Sequence, residues 1–426
     1  MNVRKIIFIG LALFAAQFTW VVYNTYVPLF LQNGSNAFDA PNRGQPRPGF
    51  GLSATQAGFI LTLDNIAALL LQPLLGARSD HTRTRWGRRI PYLLFGMPAA
   101  AFGLVLMPLL LPGAGGPTPA IFTAFLSCLL LTAAAMATWR APAFALMADL
   151  TPSAQRSQAN GILNLMAGVG GILAFGVSSM LYARYRPFPF WVAALILLAA
   201  ALLIVWRVRE PAEPAADTTH EVPALGRWLW EWGKSLPTER RRSLALLAAG
   251  VFCYMMGFHP IEAFFSSYAV SVLKLSEAHS GLVLSAAYIT FVAFAMPGGL
   301  LAGRIGRKHT VQIGLLLFAT ALLSAYFTPV TPVLVVLMGL GGLGWALVDI
   351  NAFAMALDTV GGDTSGRAAG VYFIATTLAA TLGPTFNGWL IDLSGRNYGT
   401  IFLIGPAFFG LAFWCISQVK YGEAMS

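Results

Sequence analysis

Apolar residues in this chain do not alternate with polar ones at a strand period. They run in blocks of about twenty, each long enough to cross a hydrocarbon layer as a helix. Twelve such blocks are read, at about 6–31, 53–77, 91–112, 120–148, 158–183, 188–208, 243–270, 278–302, 310–327, 331–357, 368–393 and 398–419. Polar residues are confined to the breaks, and only one break is long, Glu210 to Arg242. A membrane β-barrel would show ten-residue alternating segments instead. The expected fold is an all-α polytopic membrane protein with twelve transmembrane helices.

Composition agrees, since 57% of residues are hydrophobic and 10% charged, against about 25% charged in soluble domains. The net charge of +10 would suit nucleic acid if it were clustered, but its placement follows the bilayer. Of the 27 Lys and Arg, all but Arg43, Arg47, Arg184, Arg186, Lys274, Arg396 and the intraspan Arg140 fall in the termini or in loops on the N-terminal side. By the positive-inside rule both termini are cytoplasmic, in a plasma or bacterial inner membrane. Arg4 and Lys5 precede an apolar run too long for a cleaved signal. Cys128, Cys253 and Cys415 lie in spans without metal-ligand spacing. No metal, cofactor or nucleic-acid partner is expected, and no nucleophile–base pair points to an enzyme.

The long break divides the spans six and six, giving residues 1–209, a cytoplasmic linker at 210–242, and residues 243–426. The linker starts as a Pro/Ala/acidic stretch. Trp228, Trp230 and Trp232 among charges then indicate an interfacial helix. The halves repeat. Leu52–Asp80 aligns without gaps on Leu275–Gly303, and Arg140–Asp149 aligns on Asp349–Asp358. Two pseudo-symmetric six-helix halves with a midplane site are a transporter architecture.

Ionisable side chains inside spans are expensive and mark function. There are four: Asp64, Arg140, Glu262 and Asp349. Asp64 is the first candidate to carry a proton, with Asn65 beside it to bind a hydroxyl. Arg140, always charged, needs a carboxylate or a polar ligand if buried; its repeat mate Asp349 is the natural candidate and Asp64 the competitor. An exchange of that Arg between an acid and a ligand would couple protonation to binding, although a permanent salt bridge fits the same residues. Tyr254, Phe258 and Glu262 share a helical face, an aromatic surface with one acid that suits a sugar. Gln17, Trp20 and Asn24 share a face of span 1. Trp345 lies one turn from Asp349, with Asn351 beyond, and Thr376 and Asn387 share a face of span 11. Each could instead be glue between helices. Together they describe a polar lining drawn from six spans.

Gly76-Ala-Arg-Ser-Asp80 with Gly87-Arg88-Arg89, and its partner Gly299 with Gly306-Arg307-Lys308, resemble the signature loop of the major facilitator superfamily. The insertion in the first copy is similar to that of glycoside–pentoside–hexuronide cation symporters and of proton-coupled sucrose transporters. Asn24–Pro28, Ala145–Gly161 and Ile261–Val270 extend the likeness to bacterial members of the sucrose-transporter-like group. The chain departs from that pattern at Gly303, where the superfamily often has Asp. It departs again at Phe144, where plant sucrose transporters carry an essential Arg, and at Ala133, where they carry an acid. The resemblance implies gating charges at Asp80, Arg88, Arg89, Asp149, Arg156 and Arg307. It implies a monomer that imports a disaccharide or glucoside, sucrose- or maltose-like, with protons by alternating access. Uncoupled facilitation, export of another small molecule, or a non-transporting sugar sensor are the other readings.

Overall fold

The computed structural model describes residues 3–34, 48–113, 116–151, 155–210, 236–360 and 365–423. Twelve helices are long and apolar enough to cross a membrane, and there is no strand among the described residues. The chain is an all-α, integral multi-pass membrane protein. In order, the helices are α1 Val3–Gln32, α2 Ala54–His81, α3 Ile90–Leu106, α4 Pro119–Asp149, α5 Arg156–Arg184 and α6 Phe188–Arg207. They continue with α7 Thr238–Ser271, α8 Leu282–Ile305, α9 Arg307–Phe327, α10 Thr331–Val360, α11 Ser365–Leu393 and α12 Ile401–Ser417. Trp228, Trp230 and Trp232, and with them the expected interfacial helix, lie outside the described residues.

The helices begin where local chemistry satisfies their first N–H groups. Ser53 caps α2 through a reciprocal pair. Its hydroxyl accepts from Gln56 N at 3.3 Å, and its own N–H donates to the Gln56 side chain at 3.0 Å. The repeat places Ser276 and His279 at the matching spacing. Their side chains meet at 2.6 Å around a short turn, Glu277–His279, ahead of α8.

Two compact units result. The first comprises Met1–Asp217 with Ala269–Leu282, the second Thr218–Tyr268 with Val283–Ser426. In the first, α1 packs chiefly on α5 and α6, α2 on α4, and α3 on α4 and α6. In the second, α9 packs chiefly on α10 and α12, and α10 also on α11. The α3–α4 and α3–α6 pairings thus recur as α9–α10 and α9–α12, which is the duplication expressed as packing. The short α7–α8 connection belongs to the first unit although the helices it joins lie mostly in the second.

Small residues set the tightest crossings. A Cβ added at Gly342 on α10 would lie 2.1 Å from the Ala287 carbonyl oxygen of α8. That contact is backbone and cannot yield by a rotamer change. Gly342→Val is therefore expected to cost at least about 1–3 kcal/mol, seen as a lower thermal midpoint in detergent. Gly299→Ala, where no atom lies within 4 Å, should leave the midpoint unchanged.

Candidate functional site

In the first unit, α1 is buried along almost its whole length. Between Ile9 and Asn33 only Leu11, Phe14, Gln17, Trp20 and Asn24 keep partial exposure. These lie three or four residues apart, so one stripe of a central helix stays open, and its second half is polar. Around it Thr19 Oγ1, Trp20 Nε1 and Tyr23 Oη are buried without a hydrogen-bond partner among the described residues. Trp20 and Tyr23 meet edge to face with centroids 5.4 Å apart.

On α2, Asp64 Oδ1 accepts both the Asn65 backbone N–H at 2.6 Å and the Asn65 side-chain amide at 2.9 Å. Both residues are half-buried. Arg140 is exposed on α4, next to the fully buried Trp139, whose Nε1 has no partner among the described residues.

The second unit assembles an acid on an aromatic wall. Phe258 of α7 and Trp345 of α10 stack with centroids 4.0 Å apart and planes 11° apart, and Tyr254 meets Trp345 edge-on. Tyr372 of α11 donates toward Asp349 Oδ1 at 3.5 Å. Its hydroxyl lies 3.0 Å from that of Tyr254. Donation from Tyr254 to Tyr372 and on to the carboxylate completes a relay across three helices. Glu262 sits farther along α7, its Oε2 3.4 Å from His259 Nδ1.

Other expected ligands are placed differently. The Asn351 amide donates to Leu347 O at 2.8 Å, and the Asn387 amide to Gly383 O at 2.7 Å; both residues are buried. Thr376 Oγ1 donates to Phe373 O at 3.0 Å. These groups serve helix backbones.

At the arginine-rich end of the first unit, Arg89 is nearly buried and holds four acceptors. It pairs with Asp80, donates to Ser79 Oγ, reaches Gly76 O at 3.4 Å, and gives its Nε to Asp149 at 3.3 Å. Arg88 takes the other Asp149 oxygen at 2.8 Å. In the second unit Arg307 pairs with Asp358, the repeat mate of Asp149. Gly303 offers no counterpart to Asp80, so this second cluster has one acid fewer. Arg156 opens α5, and its side chain lies outside the described residues.

A further acid completes each cluster. Glu210, just after α6, accepts the Arg89 N–H at 2.7 Å, and Glu423, just after α12, accepts the N–H groups of Arg307 at 2.7 Å and Lys308 at 2.9 Å. Each carboxylate caps the helix that starts its loop partner, a favourable place for negative charge. Burial pushes the Glu210 carboxyl up, while the N–H groups of Arg89 and Arg88 pull it down. Both capped loops turn on a glycine at positive φ, Gly87 at 107° and Gly306 at 88°. A Cβ at Gly87 would fall 1.6 Å from Glu210 Oε2. Glu210 is the first residue of the linker expected at 210–242. The one signal available was an acid directly after basic residues at the end of a span.

Glu277 carries no signal in the sequence beyond being an acid in a short connection. It is buried in the first unit, accepting from Asn33 Nδ2 at 2.9 Å and from Tyr182 Oη at 2.6 Å, with Arg186 Nε at 3.5 Å. Tyr182 stacks flat on Tyr26, 4.2 Å between centroids.

Relatives agree with this architecture. Over 368 residues the chain is 24% identical to the glucuronide carrier protein homolog of Escherichia coli (strain K12), covering 81% of this chain and 77% of that one. It is 25% identical over 385 residues to the hexuronate transporter of Bacillus subtilis (strain 168), covering 83% of each. A crystal structure of the nucleoside transporter NupG superposes with a TM-score of 0.73 at 16% identity, over 97% of this chain and all of that one, which is a likeness of fold. The Major Facilitator Superfamily model matches residues 9–278 and 247–421. The chain is a membrane transporter, not an enzyme, and it belongs to the Major Facilitator Superfamily.

Proposed function

We propose that the chain imports a disaccharide or glucoside together with protons. The observation that carries this reading is the Asp349 carboxylate held by Tyr372 beside the stacked Phe258–Trp345 pair. An acid accepts sugar hydroxyls, and a flat aromatic surface takes the C–H face of the ring. In the first unit, Gln17, Trp20, Asn24 and Asn65 are hydrogen-bonding groups of α1 and α2; two of the relatives are named a glucuronide carrier protein homolog and a hexuronate transporter. Asp64 is the proton carrier in this reading. It is an acid inside a membrane helix, and its Oδ1 accepts from Asn65. Arg140 exchanges between a carboxylate and the substrate, and the paired clusters at Arg89 and Arg307 act as gates.

Proteoliposomes test this directly. Adding sucrose, maltose, a simple glucoside or a glucuronide outside should alkalinise the external medium with one of them. In Asp64→Asn the alkalinisation is expected to vanish while counterflow exchange of labelled sugar survives. In Asp349→Asn both should fall, because binding itself is weakened. Sugar movement without proton movement in the wild type would leave facilitation, and no movement of any of the four would overturn the substrate class.

A further inference from the structure

The insertion that distinguishes the first signature loop from the second does more than connect α2 to α3. It walls a cavity of about 820 Å3 together with the end of α6. Arg83, Arg85, Arg88 and Arg209 line it, with Trp86 and Glu210. Arg88 is already held by Asp149, and one oxygen of Glu210 is held by the Arg89 N–H. Arg83, Arg85 and Arg209 are different. None of them forms an ion pair among the described residues. Arg83 donates only to the carbonyls of Asp80 and Thr82, and Arg85 lies over the Trp86 ring, 4.4 Å from its centroid. The second loop runs from α8 to α9 with Gly306 alone between them, and has no room for such a chamber.

Three guanidinium groups with no ion pair among the described residues, around one concave space whose lining carboxylate, Glu210, accepts the Arg89 N–H, form a receptor for phosphate. Guanidinium matches phosphate oxygens in pairs and stays charged at any working pH. What lies beside the cavity selects the form of the phosphate. Leu195, Leu198, Leu202 and Trp206 make an exposed stripe along α6, three or four residues apart. Val205 and Val208 of the same helix end line the cavity itself. Trp206 carries Arg207 over its ring at 4.0 Å, and tryptophan with arginine marks the interface of a bilayer. An apolar track thus leads along a membrane helix to a cationic chamber at its end.

We propose that this cavity binds the phosphate headgroup of an anionic phospholipid, with the acyl chains lying along the exposed stripe of α6. The site is separate from the polar faces assigned above to the sugar and stands or falls independently of them.

Native mass spectrometry of the full chain, released from nanodiscs of mixed phosphatidylglycerol and phosphatidylcholine, tests this. The wild type should retain phosphatidylglycerol selectively. The triple variant Arg83→Gln, Arg85→Gln, Arg209→Gln should lose that retention by about tenfold or more. A charge-matched control, Arg241→Gln, Arg242→Gln, Arg304→Gln, removes three exposed arginines elsewhere and should retain it. Equal loss in the control would show diffuse surface charge and overturn the site, as would retention in the triple variant. Millimolar inorganic phosphate in detergent supplies the second arm. If it raises the thermal midpoint of the wild type as much as phosphatidylglycerol does, the ligand is soluble phosphate and the lipid assignment falls.

Discussion

Arg89→Met is expected to unfold the arginine-rich end of the first unit and to lower stability by about 3 kcal/mol. The guanidinium is 6% exposed and bonds Asp80, Asp149, Ser79 and Gly76 at once. Removing it takes the shared cation from Asp80 and Asp149 and leaves Arg88 on Asp149 alone. That is the costly way to break an ion pair, because the residual charges stay partly desolvated. Arg89→Lys should recover only part of the loss, since a single ammonium cannot span both carboxylates and the two oxygens of Ser79 and Gly76. Adding Asp149→Asn to Arg89→Met should restore stability, because it removes one of the stranded charges. The thermal midpoint in detergent reads all three. A midpoint for Arg89→Met equal to that of Arg241→Met, at an exposed site, would mean the cluster only sets topology.

The second large effect is expected at Glu277. Its carboxylate is the shared acceptor for Asn33, Tyr182 and Arg186. Glu277→Ala strands two buried donors and a cation, at about 1–3 kcal/mol for each buried group left unpaired. A total near 3 kcal/mol is expected after relaxation and water entry. Glu277→Gln keeps an acceptor and should lose less. The consequence reaches beyond stability, because the α7–α8 connection that carries Glu277 is continuous with two helices of the other unit. Freeing the connection should therefore change transport as well as melting. A double-mutant cycle with Tyr182→Phe checks the cause. Coupling of about 0.5–3 kcal/mol is expected for residues in one network, and strict additivity would show that Glu277 acts through some other contact.

The two predictions differ in how far they could be read beforehand. Asp80, Arg88 and Arg89 sit in one loop pattern with fixed spacing, whereas Asp149 ends α4; Arg89 pairs with Asp80 and Asp149, and Arg88 with Asp149. Their extra partners, Glu210 and Glu423, come from beyond the sixth and twelfth helices. Each is brought to its loop by packing of α6 on α3 or α12 on α9, a long-range event that no local pattern records. Glu277 was invisible for a similar reason. In the chain it is one acid in a short turn, and its partners lie 244 and 95 residues away.

Legible in the chain alone were the twelve helices, the duplication and the acids within spans. Bilayer thickness sets the length of an apolar run, and the cost of charge in hydrocarbon makes each intraspan acid conspicuous. Only tertiary structure decided which polar residues remain open. Gln17, Trp20 and Asn24 keep partial exposure along one stripe of α1, whereas Asn351 and Asn387 are buried with their amides donating to helix carbonyls. An amide in a membrane helix can satisfy either a ligand or a backbone oxygen. Which it meets depends on how closely the neighbouring helices pack, and that distance is fixed by residues far away in the sequence.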